Sequence, residues 1–123
     1  MALKICVADG QTRVRFGLRI LLEQQPGWKV TGEVTDTKEL LEKMNADCPD
    51  LVLLDWDLQG TPKQILLPNL RELHPGLLIV ILSGRPEMQR VAMLAGADAF
   101  ASKADSPEKL LNLIRDIACD KPC

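Results

Sequence analysis

The chain has 123 residues, 46% of them hydrophobic and 26% charged, and a formal net charge of -2. This is the size and composition of one domain with a proper core, which excludes collagen-like, low-complexity and disordered classes. The charge balance excludes a segment that holds nucleic acid by itself, which needs clustered Lys and Arg, and no apolar run reaches the length required to cross a bilayer.

Met1-Ala2-Leu3-Lys4 leads directly into a strand pattern without the layout of a signal peptide, so the expected compartment is the cytoplasm. Short runs rich in Val, Ile and Leu then alternate with longer stretches of helical periodicity, the pattern of a parallel sheet covered on both faces. Strands are expected at Leu3–Ala8, Lys29–Val34, Leu51–Asp55, Leu77–Leu82 and Ala99–Ser102. The second is the most amphipathic and is expected at an edge. Helices are expected at Val14–Gln24, Lys38–Asn45, Gln64–Leu73, Met88–Ala95 and Pro107–Cys119. Thr37 is read as the cap of the second helix and Ser106, before Pro107, as the cap of the last. Gly27, Gly76 and Gly96 stand where the chain must turn. The fold class is α/β, a doubly wound sandwich of five βα units over residues 1–123, taken as one domain.

Cys6, Cys48, Cys119 and Cys123 fall at no metal-ligand spacing, and His74 is the only histidine, so zinc is not expected. Cys6 lies in a buried strand and reads as a small core residue, whereas Cys119 and Cys123 are expected to be exposed.

Ligands of open parallel sheets bind outside the carboxyl ends of the strands. The residues closing four of the strands are Asp9, Asp55, Ser83 and Lys103. Each has an ordinary reading: an Asp after a strand as a turn or cap residue, Ser83-Gly84 as a turn, Lys103 as a solvated charge. Together they place two carboxylates, a hydroxyl and an ammonium on one edge. Paired carboxylates favour a hard cation such as Mg²⁺, and Ser83 and Lys103 can contact phosphoryl oxygens, the set that phosphoryl transfer requires. Asp55 is the expected nucleophile, forming an acyl phosphate.

Val7-Ala8-Asp9-Gly10, Pro49 through Asp55, Leu82-Ser83-Gly84 and Gly96 through Lys103 carry a resemblance to response-regulator receiver domains over essentially the whole chain. It is nearest to receivers usually followed by a helix-turn-helix output domain, as in Arg15-Phe16-Gly17-Leu18-Arg19 and Lys103 through Pro107. The resemblance implies a CheY-like, flavodoxin-like five-stranded fold and phosphorylation of Asp55 by a histidine kinase or phosphotransfer protein. It implies Mg²⁺ on Asp9, Asp55 and the backbone carbonyl of Asp57, self-catalysed transfer and slow autodephosphorylation. It also implies transcriptional output through a domain outside this chain, and pairing with a second copy. Ser83 and Phe100 fall at the family's switch pair, although Phe100 reads equally as a core residue.

Two departures stand out. Gly10 occupies the position where the family has a second acidic residue, and Gln11 cannot restore the charge, so Mg²⁺ affinity is expected to be reduced. Asp57 could reach the metal through water, or be a solvated loop residue. The loop Leu58-Gln59-Gly60-Thr61-Pro62-Lys63 lacks the family's proline at Gln59 and its second glycine near Lys63, with Pro62 as an alternative restriction. The alternative function is a degenerate receiver that docks a partner without being phosphorylated. A flavin carrier of related fold is disfavoured by Asp9 at the start of its phosphate loop and by the absence of Tyr. Trp56 is expected beside the site, partly buried.

Overall fold

In the computed structural model, which describes residues 2–119, the five βα units are present. The strands are β1 (Leu3–Ala8), β2 (Trp28–Val34), β3 (Leu51–Asp55), β4 (Leu78–Ser83) and β5 (Ala99–Ser102). They form one parallel sheet in the order β2-β1-β3-β4-β5, so β2 lies at an edge as its pattern predicts. Helices α1 (Thr12–Glu23), α2 (Thr37–Ala46), α3 (Lys63–Leu73), α4 (Gln89–Leu94) and α5 (Pro107–Cys119) follow the strands, α4 being entered through a 3₁₀ turn at Pro86–Met88.

Alternation of side chains along each strand divides the core in two. Cys6, Ala8, Val52, Leu54, Ile79 and Ile81 pack with Leu40, Met44, Leu66, Leu67 and Leu70 from α2 and α3 on one face. Ile5, Val7, Leu51, Leu53, Val80 and Leu82 pack with Leu22, Leu110, Leu111 and Ile114 from α1 and α5 on the other. β3 is buried along its full length, as a central strand covered on both sides must be. The register of β1 against β2 slips between Ile5↔Val30 and Cys6↔Gly32. The extra residue, Thr31, changes the face on which the rest of β2 lies, so Val30 joins one cluster and Val34 the other.

Cys6 is fully buried and its thiol is pushed up to about 12, chiefly by burial, consistent with a packing role. Cys119 is exposed, and Cys123 lies outside the described residues. Ser106 caps α5, its Oγ accepting from Lys109 N at 3.3 Å.

The cap of α2 differs from expectation. Asp36, one residue earlier, is the N-cap and accepts from Glu39 N at 2.8 Å. Thr37 is the first helical residue, and its hydroxyl serves the distant loop after β3 instead, accepting from Thr61 N at 2.9 Å. A carboxylate is the stronger partner for the positive end of the helix, which leaves the threonine free for that tie. Asp36→Ala should therefore lower stability by about 1 kcal/mol, a fall of about 4 °C in melting temperature. Calorimetry showing no change would return the capping role to Thr37.

Candidate functional site

Parallel pairing brings the strand ends to one level. Ala8 is opposite Leu54 and Asp55 opposite Leu82, so Asp9 and Asp55 emerge side by side. Ser83 pairs with Ser102, which sets Lys103 immediately beyond, its N–H donating to Ser83 O at 2.8 Å. Ser83 closes β4 itself rather than following it, one residue later than the sequence pattern suggests.

Three of these residues meet. Lys103 Nζ lies 2.9 Å from Asp9 Oδ2 and 3.5 Å from Asp55 Oδ2, bridging the two carboxylates. Asp9, Asp55 and Ser83 are buried, at 1%, 8% and 0% exposure. Asp9 Oδ1 accepts from Gln11 N at 2.8 Å, and its carbonyl from Arg15 at 2.7 Å. Asp55 Oδ1 accepts from Asp57 N at 3.1 Å, and Ser83 Oγ accepts from Arg85 N at 3.0 Å.

Burial lifts the Asp55 carboxyl above its ordinary range. The Asp57 amide opposes that rise, Asp9 adds to it and Lys103 again opposes it. Burial pulls the Lys103 ammonium down, but its hydrogen bond to Asp9 and the two carboxylate charges outweigh this and hold it above the usual lysine range.

Asp57 projects its carboxylate to Arg85, 2.7 Å away, with both side chains largely exposed. Phe100 is half-buried against the core face that carries α3 and α4. Trp56 follows Asp55 in the chain, and its side chain is 7% exposed within that same cluster, more deeply packed than expected.

The loop after β3 is held by contacts that the sequence pattern did not reveal. Thr37 N donates to Gln59 O, and Gly60 at φ 117 brings its backbone against Thr37, where a Cβ would approach Oγ1 to 2.0 Å. Lys63, to which the sequence assigned no role, is 5% exposed, its Nζ donating to Leu58 O at 2.5 Å and lying 3.5 Å from Thr61 O. The only signal was its place near the position where the resemblance calls for a second glycine. Arg85 was also missed, because two residues beyond a strand an arginine reads as solvated.

The donor set suits Mg²⁺ in kind, being oxygen throughout, but is reduced in number. Among the described residues no group of three acidic, His or Cys side chains is placed to hold a metal. An ion here would rest on Asp9, Asp55, a backbone carbonyl and retained waters, an arrangement Mg²⁺ tolerates. At Gly10 an added Cβ would meet only Thr35 O at 3.8 Å, so space does not explain the missing carboxylate.

A doubly wound α/β sheet of five parallel strands, with paired carboxylates and a lysine at its carboxyl edge, defines the class of CheY-like receiver folds. The family model described as response regulator receiver domain matches residues 5–115, and the chain belongs to that family. It is 32% identical over 114 residues to the nitrate/nitrite response regulator protein NarP of Escherichia coli K12, covering 91% of this chain and 53% of that protein. It is 30% identical over 115 residues to the transcriptional activator protein ExaE of Pseudomonas putida, covering 92% and 54%. The chain thus spans about half the length of these curated relatives. A two-component response regulator of the LuxR family from Aurantimonas sp. SI85-9A1 superposes with a TM-score of 0.90 at 26% identity, covering 98% of this chain and 88% of that one. The signal receiver domain of the putative response regulator NarL from Mycobacterium tuberculosis shares the fold, with a TM-score of 0.87 at 23% identity and coverage of 97% and 98%. No helix among the described residues is long and apolar enough to cross a membrane. Receivers of this family generally use Mg²⁺.

The raised Asp55 carboxyl has a consequence for stability. The folded chain holds that proton more tightly than the unfolded chain, so stability falls as pH rises from the ordinary aspartate value to the raised one, and the full penalty is present above it. Asp55→Asn should raise the unfolding midpoint at pH 7 in chelator, with the gain shrinking toward about pH 4. A lowered midpoint at pH 7 would show that Lys103 outweighs the burial.

Proposed function

We propose that residues 1–123 are the phosphoacceptor input domain of a longer transcription-regulating response regulator, with Asp55 taking a phosphoryl group from phosphohistidine on a histidine kinase or phosphotransfer protein. The observation that carries this reading is the convergence of Asp9 and Asp55 on Lys103 Nζ beside Ser83. A cluster so costly to desolvate suits a site at which an oxyanion is to be received.

Asp55 Oδ1 is oriented by the Asp57 amide, and Oδ2 faces Lys103. Attack by Oδ2 on phosphorus forms the acyl phosphate P–O bond as the P–N bond of the donor breaks, its electron pair returning to the imidazole. Lys103 neutralises one phosphoryl oxygen. Ser83, accepting from Arg85 N through its Oγ, retains its hydroxyl hydrogen for another. Asp9, Asp55 and the Asp57 carbonyl would hold Mg²⁺, which supplies charge neutralisation across the transferring group. Phe100, half-buried beside α4, is the aromatic member of the switch pair. Exposed apolar side chains on α1 (Phe16, Ile20) and α4 (Val91, Met93, Leu94) offer surfaces for a kinase, an output domain or a second copy.

Incubation with Mg²⁺ and a small-molecule phosphodonor should add one phosphoryl group by intact mass to the native chain and none to Asp55→Asn. A native chain that stays unmodified favours phosphorylation-independent docking. Because Gly10 has room for a side chain, Gly10→Asp should tighten Mg²⁺ about tenfold by calorimetric titration. Unchanged affinity would mean that the first loop does not face the ion.

A further inference from the structure

Lys63 stands at the first position of α3, where the helix dipole opposes a cation, and it is also buried. Either circumstance alone disfavours an ammonium, and burial indeed pulls Lys63 below the usual lysine range. What offsets them lies in the acceptor loop. The carbonyls of Leu58 and Thr61 receive Nζ, and the charges of Asp55 and Asp57 act on it favourably.

From this we infer that Lys63 is a second positioning cation of the acceptor site, which closes the loop after β3 and sets the site's charge so that Mg²⁺ is held weakly and an anion well. The inference rests on the reading of Asp55 as acceptor and assigns that site a charge balance. Three carboxylates, Asp9, Asp55 and Asp57, are balanced by three cations, Lys103 and Arg85 in direct ion pairs and Lys63 through the longer-range attraction of Asp55 and Asp57. A divalent ion approaching such a neutral cluster gains little net attraction beyond its direct ligands, and it feels the largely buried Lys63 as a repelling charge. For a dianionic phosphoryl group the same Lys63 charge is an attraction. Lys63 and Gly10 therefore act in one direction: the first adds a positive charge and the second withholds a negative one.

A lysine that only staples the loop predicts something different from a lysine that also contributes charge. Removing a staple loosens the site for every ligand, whereas removing a charge moves cation and anion oppositely. Lys63→Gln keeps a hydrogen-bond donor for the Leu58 carbonyl, and Lys63→Met removes donor and charge together. Each variant is to be compared with the native chain by calorimetric Mg²⁺ titration, by beryllofluoride titration at saturating Mg²⁺ and by thermal unfolding. The expected result for Lys63→Gln is Mg²⁺ bound about three- to tenfold more tightly and beryllofluoride bound more weakly. If the native chain shows no Mg²⁺ binding, Lys63→Gln should make it measurable. Mg²⁺ affinity that is unchanged or weaker in both variants overturns the inference. A native chain that takes no phosphoryl group, with the Mg²⁺ shift as expected, removes the acceptor reading and leaves the role of Lys63 standing.

Discussion

The structure turns on two carboxylates that share one ammonium at the edge of a buried sheet. Asp9 and Asp55 emerge from neighbouring strands because β1 and β3 pair in parallel, and Lys103 reaches both because β5 delivers it to the same level. That lysine, with the amides of Gln11 and Asp57, offsets part of the cost of burying the two carboxylates, since an unpaired charge in such a setting is strongly unfavourable. The sheet, the order of its strands and the short loops all serve to hold three charged ends at distances of a few ångströms.

Around this centre the loop after β3 is fastened from two sides. Thr37 holds it from outside through Gln59, Gly60 and Thr61, and Lys63 holds it from within through Leu58. Pro62, the N-cap of α3, restricts the same loop at its end. The price of that arrangement is a cation at the wrong end of a helix, tolerated because carboxylates lie nearby.

The strands were legible almost to the residue, because a central parallel sheet leaves continuous Val, Ile and Leu runs that end abruptly at polar residues. The site residues were legible for the same reason, as they terminate those runs. What escaped was everything set by side chains that fold back on themselves. Asp36 and Thr37 are both good caps, and only the distant Thr61 decides between them. Lys63 shows no apolar periodicity, so nothing local reports that its ammonium is buried. The short 3₁₀ entry to α4 is likewise hidden, since Pro86 suits the first turn of either helix type.

The division of the core has a consequence for how this domain can be observed. The sequence holds two tryptophans, and the sheet separates them. Trp56 lies in the cluster shared by Phe100, Ala92 and Met88, on the side of α3 and α4. Trp28 packs against the other cluster, beneath Arg115 of α5 at 5.8 Å. Each face of the molecule thus carries its own optical label, and a chain retaining one indole at a time would report separately on the two halves.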